Sequence, residues 1–435
     1  MKYILKKALE KAQEAEIFWS KFQELPVVFE ANQLKSITAR EGARFGLRVV
    51  RDGKTGISTC TSRRHLGSAL NTALELAGFG PASRFVFPGK LDHPRVRVYD
   101  SQVAQIETKE MVEMGQAIID KMVKYDSEVL WDLRLNKATM SINLQNSRGA
   151  GASYRKSIFS VSLDGSLIRG TDMLFVGDAL TSCHPVRDTR LIVDSTVKQL
   201  EWARDQARTP TKEMPVIFTP SGMASTFFMP LASAFNGRLV LQGASPLGGR
   251  LGEKAFDSKI SLHDDATISY GPSSKPVDDE GIPVQMNTLI EKGIVSTFLY
   301  DLQTAGMAGA RSTGNAHRAN GGMPSPGVNA LVFSTGEASL EDMIADIREG
   351  VLVEQLMGAE QGNVLSGEFG GNILLGYKIE QGKIKGRIKD AMLSGNIYNM
   401  LKNVSAVGKE GRWVGGALWT PPFYFPKVSV ASKEK

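Results

Sequence analysis

Residues 43–59 read ARFGLRVVRDGKTGIST: two alternating runs joined by the turn tripeptide Asp52-Gly53-Lys54. Alternation of period two broken by Asp-Gly predicts a β-hairpin. On its N-terminal side stands another strand-like run, VVFEANQLKSITAR (27–40), preceded by MKYILKKALEKAQEAEIFWSKF (1–22), which reads as an amphipathic helix. On its C-terminal side SRRHLGSALNTALELAGF (62–79) has helical spacing. Helix, meander and helix predict a two-layer α+β domain that ends near the Pro-containing stretch GPASRFVFPGKLDHP (80–94).

Beyond that stretch the pattern changes twice. IETKEMVEMGQAIIDKMVKYD (106–126) reads as a helix. EVLWDLRLNKATMSINLQNS (128–147) and GASYRKSIFSVSLDGSLIRGTDMLFVG (151–177) read as antiparallel strands, with LDGS (163–166) as a turn. DTRLIVDSTVKQLEWARDQA (188–207) returns to helical spacing, and RTPTKEMP (208–215) looks like a linker. From about residue 213 the chain is rich in glycine and strand signals, with helices such as SLEDMIADIREGVL (339–352). The expected organisation is α+β in three parts. These are an N-terminal two-layer α/β domain (1–95), a middle antiparallel strand-and-helix segment (96–212), and a large glycine- and strand-rich C-terminal domain (213–435).

Bulk composition narrows the function. The chain has 435 residues, 42% hydrophobic and 23% charged, which is ordinary for a soluble globular protein. A net charge of +6 without a dense basic stripe gives no support to a nucleic-acid surface. The opening segment lacks the uninterrupted apolar core of a signal peptide, and no run approaches a membrane span. Two cysteines, Cys60 and Cys183, make no disulfide framework, so a cytoplasmic location is the plain expectation.

Candidate chemistry is sparse. None of the five histidines stands in an HxxxH or HxxEH arrangement. SCHPVRD (182–188) places Cys183, His184 and Asp188 close together, but strand neighbours point to opposite faces, which argues against a shared site. LHDDAT (262–267) is explained equally well by a solvated loop. In KPVDDEGIPV (275–284), Asp278, Asp279 and Glu280 precede Gly281 and a strand-like run. Asp bonding its own backbone and Gly at positive φ are turn chemistry, so a structural turn outweighs a metal or acid–base site. GASPLGGRLG (243–252) and GEFGGNILLG (367–376) lack the spacing of a phosphate loop.

Several stretches, in order, resemble the TldD/PmbA (TldE) family of peptide-maturation metalloproteases. They are GGRLGEKAFDSKISLHDDAT (248–267), KPVDDEGIPVQMNTLIEKGIVSTFLYDLQTA (275–305), STGNAHRANGGMPSPGVNALVF (312–333) and VGKEGRWVGG (407–416). LKSITAREGARFGLRVVRDGKTGIST (34–59) is similar to that family's first domain. The resemblance implies that the acidic block is structural framework and that zinc, where present, is held by an HExxxH helix and a C-terminal cysteine. The matching helix here reads TFFMPLASAFNG (226–237). Met229 and Ala234 stand at the histidine positions, Pro230 at the glutamate and Val407 at the cysteine. Independently of alignment, residues 221–249 contain no His, Cys, Asp or Glu. The resemblance therefore implies a TldE-like subunit with no metal or other cofactor and no catalytic residue of its own, inactive alone. Its expected partners are a TldD-like catalytic subunit or a second copy of itself, and an unfolded peptide. A stand-alone homodimeric peptide-binding protein is the alternative, and an enzyme built on Cys183–His184 or on the acidic triplet a third reading. For peptide contact the best candidates are Gly314, Asn315, Arg318, Gly321 and Gly322, where small residues admit a backbone and Arg318 offers a carboxylate partner. A glycine-rich loop serving only the fold explains them equally well.

Overall fold

The computed structural model describes residues 1–432. The chain opens with α1 (Lys2–Leu9), β1 (Glu14–Glu30), β2 (Gln33–Ile37), β3 (Arg40–Arg51), β4 (Lys54–Cys60) and α2 (Leu66–Ala77). The hairpin is β3–β4, turned by Asp52 and Gly53 at φ of 51° and 69°. The opening segment departs from expectation. Its helix stops at Leu9 and EAEIFWSKFQELPVVFE becomes a 17-residue strand. That strand pairs antiparallel with β3 on one side and with β5 (Leu130–Asn146) on the other. Two long ladders and the burial of Ile17, Phe18, Val27 and Phe29 override the helical bias of its Glu, Lys and Ala residues.

After a stretch without regular structure at 83–100 come α3 (Ser101–Gln105) and α4 (Thr108–Tyr125), then β5, β6 (Gly151–Arg169) and β7 (Asp172–Ser182). One antiparallel sheet, ordered β4-β3-β1-β5-β6-β7 with β2 hairpinned onto β1, joins the strands of the first two sequence segments. The turn expected at 163–166 is instead the interior of β6. Gly165 lies opposite Trp131, and a Cβ on it would come 2.4 Å from the indole ring. Glycine here makes room for a buried Trp, and the hairpin turns at 147–150. One end of the sheet is covered by α1 and α2, through Leu5, Ala8, Leu70 and Ala73 against Ile17, Leu47 and Val49. Its other end is covered by α4 and α5 (Arg190–Trp202), through Met111, Ile118 and Ile192 against Phe29, Trp131 and Leu133.

The remainder starts with β8 (Gln206–Ala207) and β9 (Lys212–Phe218), so the second half of the expected linker is strand. Helices α6 (Pro220–Ala234) and α7 (Gly237–Leu241) follow, then β10 (Leu262–Asp265), β11 (Met286–Glu291), β12 (Ile294–Val295) and α8 (Leu302–Ala308). LHDDAT therefore lies on a strand for its first four residues, with Asp264 fully buried, not in a solvated loop. The helix expected over 339–352 covers only Leu340–Asp346 and gives way to a strand, Glu349–Met357. That strand and β9 belong to a ring. β9 pairs with Glu349–Met357 and with Phe423–Ser432. The latter pairs with Ala391–Asn396, then Glu368–Glu380, which returns to Glu349–Met357. Closure leaves these five strands without a free edge between them. Among the described residues no helix is long and apolar enough to cross a membrane.

Candidate functional site

Helix α6 starts cleanly: Thr219 Oγ1 accepts from Gly222 N, and Pro220 occupies the first turn, where a missing N–H costs nothing. The Thr219 hydroxyl also donates to Glu354 Oε2 at 2.8 Å. The inner face buries Met223, Phe227, Leu231 and Ala234, with Phe227 stacked on Phe425 at 5.4 Å. Each such side chain contributes about 1.5–3 kcal/mol of burial when large and apolar. Pro230 sits in the helix interior and the helix continues through it, with Tyr398 Oη donating to Pro230 O at 3.2 Å.

At the positions where the resemblance places zinc ligands, Met229 is half exposed while Ala234 and Val407 belong to one apolar cluster. One thioether, a methyl and an isopropyl group offer no imidazole or thiolate, and Pro230 offers no base. These residues do not fit a zinc ion. No group of three or more His, Cys, Asp or Glu suited to a metal occurs among the described residues. Along the N-terminal half of α6 runs a cavity of about 690 Å³, bounded by Ser221 and Ser225 on one side and by Asp164, Asp178, Glu354 and Arg412 on the others. Arg412 donates to both oxygens of Asp178, at 2.7 and 2.6 Å. Burial pushes the carboxyl groups of Asp164 and Glu354 up. Carboxyl groups outnumber the one guanidinium among these residues, which favours ligands that donate N–H groups.

The acidic triplet is engaged within the fold. Asp278 Oδ1 accepts from Glu280 N and Ile282 N, both at 2.9 Å, and Oδ2 from Ala316 N at 3.0 Å. Gly281 takes φ of +78°, closing the turn. Burial, with Glu280 nearby, pushes Asp278 up to about 7, while the N–H donors of Ala316 and Ile282 pull the other way. Asp279 Oδ2 accepts from Arg318 N at 2.8 Å. Glu280 accepts from Arg48 Nη1 at 2.5 Å and from Leu302 N at 2.7 Å. Glu16, Arg48, Glu280 and Arg318 together form a buried charge cluster, Arg318 bonding Glu16 and Arg48 lying 3.1 Å from it. Phe85 and Phe87 hold the Arg48 guanidinium at 4.6 and 4.7 Å from their ring centres.

The candidate peptide contacts prove to be interior. Gly314, Asn315 and Gly321 are buried, and Gly322 is partly so. Asn315 donates to Asp264 Oδ2 at 2.6 Å and to Gly327 O at 3.0 Å. The carbonyl of Gly321 lies so close to Gly46 of β3 that a Cβ there would meet it at 2.0 Å. The Arg318 side chain is fully buried and donates to Glu16, Asp279 O and Gly322 O, leaving no charge to greet a peptide carboxylate. Just beyond this loop, Met323 and Pro324 line a separate cavity.

Cys183 and His184 diverge, though not as strand neighbours: β7 ends at Ser182 and both lie in the bend that follows. Cys183 is buried with Sγ 3.5 Å from Gly271 O. His184 is exposed, its Nδ1 2.8 Å from Asp100 Oδ2 and its ring 3.8 Å from that of Tyr270. Asp188 pairs with Arg190 on the surface. Sequence reading named Glu280 and Arg318 for other roles and missed the cluster they form with Glu16 and Arg48, because its members lie far apart in sequence and only the β1–β3 ladder and the tertiary fold bring them together.

Comparison with known proteins places these features. A family model described as "PmbA/TldA metallopeptidase C-terminal domain" matches residues 211–432, and one described as "PmbA/TldA metallopeptidase domain 1" matches residues 15–77. A protein of Methanothermobacter thermautotrophicus called a metalloprotease is 27% identical over 396 residues, covering 89% of this chain and 86% of its own. An uncharacterised protein of Methanocaldococcus jannaschii is 24% identical over 393 residues, covering 89% of this chain and 90% of its own. The crystal structure of TldE from Thermococcus kodakarensis superposes with a TM-score of 0.90 at 25% identity, over 99% of this chain and all of that one.

Proposed function

The chain belongs to the TldD/PmbA family of metallopeptidase-like proteins, and from that premise we propose that it is a non-catalytic, zinc-free subunit of the TldE type. In this reading it pairs in the cytoplasm with a TldD-like metalloprotease and supplies part of the wall of a chamber in which unfolded peptides are cut. The observation that carries the proposal is the replacement of every ligand and of the general base, at Met229, Pro230, Ala234 and Val407, on a helix that otherwise keeps its cap and its packing. The carboxylate-lined cavity beside α6 supports the peptide part, since carboxylates and carbonyls in a groove accept the N–H groups of an extended backbone.

The test is reconstitution with a homologue that carries HExxxH. The purified chain is expected to hold far less than one zinc per chain and to leave an unfolded peptide intact. Mixed with the homologue it is expected to form a heterodimer whose interface buries roughly 2,000 Å² or more. Cleavage is expected only in the mixture, and to stop when the homologue's zinc is chelated. Cleavage by this chain alone, or stoichiometric zinc bound at the α6 positions, would overturn the proposal.

A further inference from the structure

One face of the N-terminal sheet is left bare at its β5–β6–β7 end. Helices α4 and α5 cover the other face there, over Trp131, Leu133, Leu163 and Val176. On the bare face the register sets side chains in rows across the three strands. Ile168 stands opposite Met173; Leu130, Ser166 and Phe175 form the next row, and Asp132, Asp164 and Gly177 the one after. Asp132, Asp164, Ser166 and Phe175 line the cavity of about 690 Å³ beside α6. Asp132 and Asp164 are exposed, and so are the large apolar residues: Leu130 at 48%, Ile168 at 61%, Met173 at 55% and Phe175 at 37%. Like charges directly opposite each other on paired strands destabilise a sheet. No cation of the fold offsets this pair. Asp132 Oδ1 accepts from Ala31 N at 2.9 Å and Asp164 Oδ2 from the Ser162 hydroxyl at 3.0 Å, and among the described residues neither forms a salt bridge. Arg412 is engaged by Asp178, and Arg134, one row further on opposite Ser162, lies outside the cavity lining. Glu354 adds another carboxyl to that lining. Desolvation by the cavity walls, with the charge of Asp132 added, pushes the Asp164 carboxyl up.

We propose that this face docks an extended peptide segment in which a basic residue stands two positions from an apolar one. Directly opposite residues have Cβ atoms about 5 Å apart, so one ammonium or guanidinium reaches both carboxylates. Residues two apart on an extended chain lie about 6.7 Å from each other, which is also the distance between successive rows. A basic side chain in the aspartate row therefore sets the residue two along over Leu130 and Phe175, and the one two beyond it over Ile168 and Met173. Charge complementarity decides the occupant. An obligate interface with a second copy is large and depleted of charge at its centre, whereas here four apolar side chains are interrupted by a serine and adjoin two carboxylates. The inference rests on the peptide-handling reading above for the kind of ligand, and deepens it by naming the side chains the face prefers.

Fluorescence anisotropy tests this, with the full chain alone titrated into a labelled, end-blocked peptide Gly-Ser-Gly-Lys-Ser-Leu-Ser-Leu-Gly-Ser. Saturable binding is expected, weakened at least about tenfold when the peptide's Lys becomes Glu or when both its Leu become Ser. Asp132→Asn combined with Asp164→Asn is expected to weaken binding by a similar factor without lowering the melting temperature, since it removes a like-charge opposition. Asp132→Lys combined with Asp164→Lys is expected to reverse the preference, so that the Glu peptide binds better than the Lys peptide. A pair that only shaped the sheet would not exchange one peptide for the other. Phe175→Ser and Ile168→Ser are each expected to weaken binding with the fold intact. No saturable binding, equal binding of the Lys and Glu peptides, or full binding by the double Asn variant would overturn the proposal. So would sedimentation showing a dimer that Ile168→Ser converts to monomer, because a second copy is then the occupant. No catalytic partner and no cleavage enter the assay, so its failure and that of the reconstitution are distinguishable.

Discussion

Arg318 and Glu16 stand 302 residues apart in sequence and meet as a fully buried pair. Removing one member of such a pair strands the other in a low dielectric, which typically costs 3–5 kcal/mol. Arg318→Met is therefore expected to lower the unfolding free energy by about 3 kcal/mol or more, measured by urea denaturation; a residue serving only peptide contact would leave it unchanged. His317, beside it, titrates within reach of experiment. Burial, helped by the charge of Lys275, pushes its imidazole down to about 4, and Nε2 has no partner among the described residues. Between the unfolded value near 6.5 and about 4 the unfolded chain binds a proton that the fold does not. This group alone is thus expected to cost the fold on the order of 1–3 kcal/mol as pH falls through that window, while Asp278, raised to about 7, works the other way; the loss is read as the difference between the pH profiles of the unaltered chain and His317→Asn. At this scale the acidic turn was legible, because Asp278 bonds N–H groups two and four residues away. The role of Arg318 was not, because its partner lies on a strand that only the tertiary fold brings near.

Among the elements, α6 is where local rules and tertiary demands conflict. Pro230 supplies no N–H to the carbonyl of Thr226, and its ring crowds that carbonyl, yet the helix runs on to Ala234 because its apolar face is held in the core. Pro230→Ala is expected to restore that bond and raise stability by about 1–2 kcal/mol, less than the full helix-interior penalty because proline also restricts the unfolded chain. Ala234→His, which restores one ligand position, is expected to lower the melting temperature, since Ala234 is 0% exposed within packed apolar groups and overpacking costs about 1–3 kcal/mol. The hairpin at Asp52-Gly53 and helices α2, α4 and α5 were all visible in periodicity and turn residues. Two of the misjudged elements share a physical cause. In β1 a helix-prone composition yields to pairing on both sides, and in β6 a turn-like Asp-Gly yields to the space that Trp131 requires. The partner β5 is far from β1 in sequence, and Gly165 meets Trp131 only once the β5–β6 hairpin has set its register, so neither could be read from a short window of sequence.

At the scale of the whole molecule, the C-terminal ring joins Lys212 on β9 to Val430 on the strand that completes it. Glycine content announced turns and strands there, but not which strands would meet, since nothing in a run of alternating residues names a partner that distant. The pairing has a consequence for the order of events during synthesis. β9 leaves the ribosome early and must wait, with both edges bare until residues 349–357 are made and one still bare until residues 423–430 have followed. Closing so long a loop is entropically slow, and during the wait the bare edge is a template for pairing with other nascent chains. Deleting residues 423–432 would make that interval permanent. The shortened chain is expected to lose its cooperative thermal transition and to be recovered bound to chaperones or in aggregates, while the N-terminal sheet, complete by residue 182, is already paired before β9 emerges.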